Sequence, residues 1–205
     1  MLINILLFVN ICSLAQNISN SEKLNDNFYL ALNEIIASKL KNVSTVKCET
    51  QPIFRTIWGN SPIPTNANTS PPVPIEDLSW SFFMQEIESH QFDSLEARYM
   101  YLSIDSTKYF KLDSTKVNRP LISKINFDKL FSGKDFEEGY IEIKKKYGSS
   151  CFIQVSTPVF NKNFTKQILF VSYCCGPVSG TGYVFILEKR KSKWIIIKTS
   201  INWIS

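Results

Sequence analysis

The sequence predicts an α+β fold in which an antiparallel C-terminal β-meander of about four strands packs with two or three helices. Apolar residues recur every three or four positions in the upstream part of the chain, which is typical of helices. Extended segments rich in β-branched and aromatic residues follow one another at the C-terminal end, at Cys151–Phe160, Lys166–Cys175, Tyr183–Lys189 and Lys193–Trp203. With 205 residues, 44% of them hydrophobic, the chain can bury a core without a metal or a disulfide.

The first fifteen residues have the pattern of a secretory signal peptide. They carry no charged side chain, and the apolar run Leu2–Val9 is followed by the small-x-small pattern Ser13–Ala15. The run is shorter than the roughly 20 apolar residues that span a bilayer, so we expect no transmembrane segment. The sequence therefore predicts an exported protein (periplasmic, cell-surface or secreted) that is cleaved after Ala15. Two alternatives stay open, a lipid-modified Cys12 and a buried N-terminal strand or helix.

Residues 16–205 have the length of a single domain. The distribution of their basic residues argues against a nucleic-acid partner. The formal net charge is +5. A nucleic-acid-binding face gathers its basic residues on one surface. Here they are spread along the chain, with small clusters at Lys144–Lys146 and Lys189–Lys193. We expect both clusters to be solvated surface that keeps the protein soluble.

Helical periodicity marks the first element after the expected cleavage site. Ser21 is the expected cap of a helix from Glu22 to about Lys41, with an apolar stripe for the core that comprises Leu24, Phe28, Leu32 (or Ala31), Ile35, Ile36 and Leu40. One or two short strands are expected within Val43–Trp58, where apolar and polar residues alternate. Residues 59–74 are rich in proline, asparagine, threonine and serine, which predicts an exposed loop.

The middle of the chain is less regular. Ile75–His90 is predicted to be a helix whose first turn holds acidic residues, as the helix dipole favours. Gln91–Lys116 stays open between strand and helix, because Leu95, Tyr99 and Leu102 fit a helix while the residues from 99 to 104 also alternate as a strand. Leu121–Phe131 is expected to start as a strand and to end as a short helix.

The last predicted helix lies within Ser132–Tyr147. Its apolar stripe is spaced by four, three and four residues, at Phe136, Tyr140, Ile143 and Tyr147. Gly148 follows as the expected end of the helix.

A polar turn at Asn161–Thr165 sets the expected register of the first C-terminal hairpin. If the hairpin closes there, the numbers of paired residues sum to about 326, and Cys151 lies opposite Cys175. Side chains alternate between the two faces of a strand. One face is then expected to hold Cys151, Ile153, Val155, Thr157 and Val159 together with Cys175, Tyr173, Val171, Leu169 and Gln167. Both faces are largely apolar, so a helix layer is expected over one of them.

Gly176–Gly182 is predicted to be a structural loop between two antiparallel strands. A glycine-rich loop can approach a phosphate group. This one lacks the Lys-Ser/Thr pair of a phosphate-binding loop, and it does not lead from a strand into a helix. We therefore expect no cofactor here, and the next turn is placed at Arg190–Ser192.

The residue types that carry common enzyme chemistry are scarce. His90 is the only histidine, so every triad, Cys-His pair or histidine-based metal site would have to use it. The cysteines lack the paired spacing of a zinc site. Neighbouring acids such as Glu137-Glu138, or Glu86 and Glu88, point in different directions on a helix. We therefore assign no catalytic, cofactor-binding or metal-binding residue.

Four cysteines remain after the expected cleavage, and an exported compartment is oxidising. Hairpin geometry favours a disulfide between Cys151 and either Cys175 or Cys174, with Cys48 paired to the remaining thiol. A vicinal bond between residues 174 and 175 is strained and least favoured. The alternative that stays open is four free, buried and inert thiols.

The last third of the chain carries a family resemblance. Its motifs are Cys175-Gly-Pro-x-x-Gly-x-Gly-Tyr, Leu187-Glu-Lys, Lys193-Trp194-x-Ile and Trp203-x-Ser. Together they resemble the ending of a group of small secreted bacterial proteins of unknown function. In that group a second cysteine often follows the Cys-Gly closely. Ser179 stands there in this chain, so no local loop disulfide is expected. The resemblance implies an address and an architecture, and no activity.

Three functional hypotheses follow. The first is an exported bacterial protein without catalytic activity that binds a ligand or partner or serves the cell envelope. The second is a small-molecule pocket in a cone-like α+β fold, and the third is a hydrolase whose acid residues the sequence does not reveal. The sequence does not decide whether the partner is a small molecule or a protein. A filled sheet face would favour the first hypothesis, an open cavity the second, and converging carboxylates the third.

Overall fold

The computed structural model describes residues 26–47, 50, 54–56, 77–104, 111–132 and 135–205. Helices in these residues are α1 (26–38), α2 (Trp80–Glu88), α3 (Ser94–Ser103), α4 (Lys124–Phe131) and α5 (Phe136–Tyr147). Strands are β1 (Thr45–Lys47), β2 (Phe54–Thr56), β3 (Asp77–Ser79), β4 (Leu121–Ile122), β5 (Phe152–Val155), β6 (Val159–Phe160), β7 (Lys166–Gly176), β8 (Ser179–Arg190) and β9 (Lys193–Ile204). The expected signal peptide, the proline-rich loop at 59–74 and Cys48 lie outside the described residues.

A mixed sheet of seven strands carries the fold. Its order is β4-β1-β5-β7-β8-β9, and β6 also pairs with β7. The C-terminal strands pair antiparallel, whereas β1 lies parallel between β4 and β5. Strands β2 and β3 form a separate parallel pair. The predicted α+β fold with an antiparallel C-terminal meander is therefore confirmed.

The predicted hairpin register is correct for β5 and wrong by one residue for β6. The pairs of β5, from Phe152 with Cys174 onward, sum to 326 as expected. Strand β6 pairs one residue later, as Val159–Ile168 and Phe160–Gln167. One extra residue turns the following side chains to the opposite faces. Val159 therefore does not share the face of Ile153 as predicted, and Phe160 takes that place.

Helices cover both faces of the sheet, where a cover on one was expected. We call the side that packs against α1 the α1 face. The predicted apolar stripe of α1 is buried there, with Phe28, Leu32, Ile35 and Ile36 against Ile153, Val171 and Phe185. On the opposite face, α2 and α3 cover the middle of β7 and β8, while α4 and α5 cover Phe152 and Cys174. Each fully buried large apolar side chain contributes about 1.5–3 kcal/mol, so these contacts hold the layers together.

Helix α2 begins later than the sequence predicts. Residues 77–79, expected in its first turns, form β3, and the helix starts at Trp80. Ser79 caps it, because its Oγ accepts a hydrogen bond from the Phe82 backbone N–H at 3.4 Å. The strand forms because β2 offers a parallel partner. That partner is distant in sequence, so local periodicity did not reveal it.

The ambiguous segment after His90 contains helix α3. Asp93 caps it by accepting a hydrogen bond from the Glu96 N–H at 2.7 Å. The helix buries Ala97 and Met100. The three residues that suggested a helix lie on its exposed side, as Leu95, Tyr99 and Leu102.

The strand–helix order of 121–131 and the helix ending at Tyr147 are confirmed by β4, α4 and α5. Asp135 caps α5 by accepting from the Glu138 N–H at 3.0 Å. Gly148 ends it with φ +86°, and its N–H donates to the Lys144 carbonyl at 2.8 Å. Only glycine adopts that backbone conformation without strain. None of the helices in the described segments is long and apolar enough to cross a membrane.

Candidate functional site

Among the residues that the structure describes, none covers the α1 face toward the C-terminal end of β9. Tyr173 and Tyr183 are half-buried there, whereas Ile201 is 59% and Ile204 70% exposed. The register places Tyr183 beside Ile201, and Thr181 between Tyr173 and Ile204. We call this uncovered end the tyrosine surface, and its members are Tyr173, Thr181, Tyr183, Ile201 and Ile204. None of these five side chains is charged, so the surface offers rings, aliphatic groups and hydroxyls.

The two tyrosines are held by their neighbours. The Tyr173 hydroxyl donates to the Cys151 Sγ at 3.3 Å. The Tyr183 ring packs 5.8 Å from the ring of Phe185, which is buried in the core. Burial, and to a lesser degree the neighbouring Tyr183, raises the pKa of Tyr173 above its usual range. Its hydroxyl is therefore neutral at physiological pH and can both donate and accept a hydrogen bond.

A disulfide borders the tyrosine surface. The structure joins Cys151 and Cys175, with the two sulfurs 2.15 Å apart and the Cα atoms 4.0 Å apart. This is one of the two pairings that the hairpin register favours. It ties the residue before β5 to the far end of β7, just where α1 no longer covers the sheet.

Cys174 lies on the opposite face and carries a free, buried thiol. Burial raises its pKa to about 11, while the nearby Lys47 ammonium lowers it. The Lys47 Nζ donates to Gln154 Oε1 at 3.2 Å and lies 4.1 Å from the centre of the Phe127 ring. A thiol that stays protonated at neutral pH is a poor nucleophile. Cys48, the residue expected to pair with the remaining thiol, lies outside the described residues.

Trp203 closes the opposite face at this end of the sheet. A Cβ added at Gly182 would lie 2.0 Å from the Trp203 Nε1, and one at Gly180 would lie 2.9 Å from the ring. Glycines at these positions therefore make room for the indole. The predicted loop at 176–182 is wrong in extent, because β8 already begins at Ser179 and only residues 177 and 178 form the turn. The glycines serve packing within a strand.

The acidic side chains nearest to the core form ion pairs instead of a catalytic pair. Glu86 is almost fully buried in α2, and its Oε1 lies 2.7 Å from the Lys198 Nζ of β9. Glu96 of α3 accepts from the Lys166 Nζ at 2.9 Å and from the Asn161 Nδ2 at 2.6 Å. Each carboxylate thus fastens a helix to the sheet.

The remaining candidates for chemistry are dispersed. His90 is exposed, two residues after the end of α2. Glu137 and Glu138, adjacent in sequence, lie in the exposed first turn of α5. The part of the chain that the structure describes contains no group of three histidine, cysteine, aspartate or glutamate side chains placed to hold a metal ion.

Sequence reasoning found part of the tyrosine surface and missed the rest. Strand alternation correctly placed Tyr173 on the face of Cys151 and Cys175. The exposure of Ile201 and Ile204 was not predicted, because it depends on where α1 ends over the sheet. No local pattern encodes that position.

Comparisons with known proteins give no relative for this chain. No protein-family model matches it. No curated protein and no solved structure matches it either.

Proposed function

We propose that the protein is exported and acts without catalysis, as a binding protein of the cell envelope that uses the tyrosine surface as its contact. One observation carries this proposal above all. Both sheet faces are filled over the middle by helices, so that, among the residues that the structure describes, the tyrosine surface is the exposed apolar and aromatic area left on the α1 face. Exposed apolar area rimmed by polar groups marks interaction sites.

Export rests on the N-terminal pattern and agrees with the disulfide. The apolar run before Ala15 has the length and the ending of a signal peptide. Disulfides such as Cys151–Cys175 persist in oxidising compartments and are rare in the cytosol. The resemblance of the C-terminal motifs to small secreted bacterial proteins supports the same address.

The chemistry of the surface favours a neutral, hydroxyl-rich or peptide ligand. Tyr173 and Tyr183 present ring faces held in place by their packing, and Tyr rings suit recognition because one part is apolar and the other polar. No charged group in the surface would recognise an anion. Envelope polymers built of sugars and short peptides offer both kinds of contact.

Co-sedimentation tests the binding. Purified protein is spun with peptidoglycan sacculi, with chitin as a sugar-only polymer, and alone. We expect wild type to pellet with sacculi, and the variant Ile201→Ser/Ile204→Ser to lose at least tenfold in bound fraction. Leu102→Ser is the matched control, because Leu102 is 58% exposed on α3, away from the surface.

The outcomes separate the possibilities. Pelleting with sacculi and chitin alike identifies sugar as the ligand, and pelleting with sacculi alone points to the peptide. Wild type that stays in solution with every polymer, or surface and control variants that bind equally, would contradict the proposal. Export is checked separately, by measuring the intact mass of protein recovered outside the cytoplasm. We expect the mass of a chain that begins at Gln16.

A further inference from the structure

In the described part of the chain, two side chains in the core beneath α1 carry polar atoms without a hydrogen-bond partner. Gln167 is 0% exposed, and neither its Oε1 nor its Nε2 has a hydrogen-bond partner within the described part of the chain. The same is true of the Trp194 Nε1, which is also buried. Leaving a buried amide unpaired forfeits its hydration without compensation, so native proteins contain few such groups. Each one calls for a physical explanation.

The two side chains belong to one region of the α1 face. Gln167 lies between Phe160 and Leu187 in the sheet register, and both of these neighbours point into the core beneath α1. The Trp194 ring lies 6.1 Å from the Phe160 ring, in the same cluster. Phe160 is therefore the sheet neighbour of Gln167 and also packs against the Trp194 ring.

This region is closed toward solvent. Lys189, the strand neighbour of Trp194, donates from its Nζ to the Asn27 Oδ1 of α1 at 2.8 Å. The Phe164 ring lies 5.4 Å from the Phe160 ring at the hairpin end. A molecule bound between helix and sheet here would be enclosed, and only a small one would fit without moving α1.

The unpaired atoms define what that molecule must do. The Gln167 Nε2 and the Trp194 Nε1 are donors, and the Gln167 Oε1 is an acceptor. The occupant must therefore accept as well as donate hydrogen bonds. We also expect it to be neutral, because Lys189, the cation opposite Trp194 in the sheet register, is already bonded to Asn27.

Water meets these conditions with the fewest atoms, since it accepts two hydrogen bonds and donates two. Buried waters usually make about three hydrogen bonds to otherwise unsatisfied groups, which is the number of unpaired atoms here. We propose that Gln167 and Trp194 form an internal hydration site, in which an ordered water bridges the amide and the indole beneath α1. This site is independent of the tyrosine surface and of the binding function.

Water-selective NMR tests the site directly. In ¹⁵N-labelled protein we expect nuclear Overhauser cross-peaks from water to both the Trp194 Nε1–H and the Gln167 side-chain amide. Their sign should be the one that a long-lived bound water produces. In Gln167→Met, which keeps the length but removes the amide, the cross-peak at Trp194 should be lost and the Tm should fall. Gln85→Met on the exposed side of α2 is the control and should leave the cross-peak unchanged.

The opposite result is equally clear. An unhydrated amide would give no water cross-peak, and Gln167→Met would then raise the Tm, because replacing an unpaired polar group by an apolar one removes a penalty. That pair of results would overturn the proposal. Trp194→Phe removes the indole N–H together with the pyrrole ring, keeps an aromatic side chain, and serves if Gln167→Met does not fold. It should weaken the water cross-peak at the Gln167 amide, and an unchanged peak would contradict a shared water.

Discussion

At the scale of single residues, glycine in β8 is a packing requirement. Trp203 lies so close to Gly182 that an added Cβ would meet its indole at 2.0 Å, whereas a Cβ at Gly176 would meet Ser179 at an ordinary 3.7 Å. Gly182→Ala should therefore lower the free energy of unfolding by about 1–3 kcal/mol, the usual cost of overpacking a core. Gly176→Ala should change it by less than about 0.5 kcal/mol.

Urea unfolding of both variants checks this difference. The mechanism predicts that Trp203→Leu largely rescues Gly182→Ala, because the smaller side chain frees the space. Equal destabilisation by the two alanine substitutions would contradict the packing role of the indole.

Cys174 gives the fold a dependence on alkaline pH. Burial raises the pKa of its thiol from 9.0 to about 11. The unfolded chain loses this proton above about pH 9 while the folded chain keeps it, so the contribution is complete below pH 9 and declines as the pH approaches 11. At about 1.4 kcal/mol per pKa unit, the loss reaches roughly 3 kcal/mol.

Measuring the free energy of unfolding from pH 8 to pH 11 tests the assignment. Wild type should lose that stability relative to Cys174→Val, which has no thiol to titrate. A constant difference between the two proteins across this range would show that Cys174 is not responsible.

Much of this residue-level detail was beyond the sequence. Strand alternation predicted on which face of the sheet Cys174 lies. It did not predict that residue 182 has to be a glycine. It arises from Trp203, twenty-one positions further along the chain, which folds over the neighbouring strand. Such a contact depends on tertiary packing, so a glycine-rich stretch looks like a loop until its neighbour is known.

At the scale of elements, ion pairs join helices to the sheet. Glu86 is buried and paired with Lys198, so that Lys198→Met would leave its carboxylate without a cation and with only the Ser89 hydroxyl, 3.3 Å from its Oε2, as a partner. We expect a loss of about 3 kcal/mol, the lower end for breaking a buried pair, because Lys198 is partly exposed. Lys124→Met, which breaks the exposed pair with Asp128 in α4, should cost less than about 0.5 kcal/mol.

Thermal unfolding distinguishes the two lysines. Proteolysis should in addition show earlier cleavage near α2 in Lys198→Met, since that helix is fastened to β9 by this contact. A Lys198→Met protein as stable as Lys124→Met would mean that water reaches Glu86 and replaces the pair.

Elements were predictable where one periodicity prevails. α1 and α5 show helical spacing, and the structure contains both helices. α1 ends at residue 38 instead of about Lys41, and its predicted cap Ser21 lies outside the described residues. The wrong predictions concern segments whose structure depends on a pairing partner that is distant in sequence. β3 replaces the expected first turns of α2 because β2 pairs with it. The extra residue before β6 shifts a register that hairpin symmetry alone would continue.

At the scale of the whole molecule, the disulfide constrains the unfolded chain. It links Cys151 and Cys175 across a separation of 24 residues. Closing a loop of this size contributes about 3–4 kcal/mol in the chain-entropy account. Cys151→Ser/Cys175→Ser should therefore lower the free energy of unfolding by about that amount and keep the fold, because the sheet pairs on its own.

Alkylation in denaturant without reductant, followed by peptide mass analysis, checks the pairing. Cys174 should be labelled, and residues 151 and 175 should be labelled only after reduction. Labelling of all three before reduction would disprove the disulfide.

The sequence revealed the architecture of the C-terminal half and not the place of the N-terminal strand. A run of four extended segments predicts a meander wherever it occurs. The insertion of β1 between β4 and β5 is different, because three residues carry too little pattern to choose a neighbour. The tyrosine surface depends on the same global geometry, which explains why only its tyrosine on β7 was foreseen.

The insertion of β1 between β4 and β5 also determines when β1 can pair during folding. β1 needs residues 121–122 on one side and residues 152–155 on the other, so it has no lasting place until most of the chain is present. Pairings this distant in sequence close slowly. A chain that emerges N-terminus first must therefore wait, with α1 and β1 unpartnered, for its last third to arrive. Such a delay would keep the polypeptide unfolded enough to be threaded through a pore, which is what the export proposed above requires.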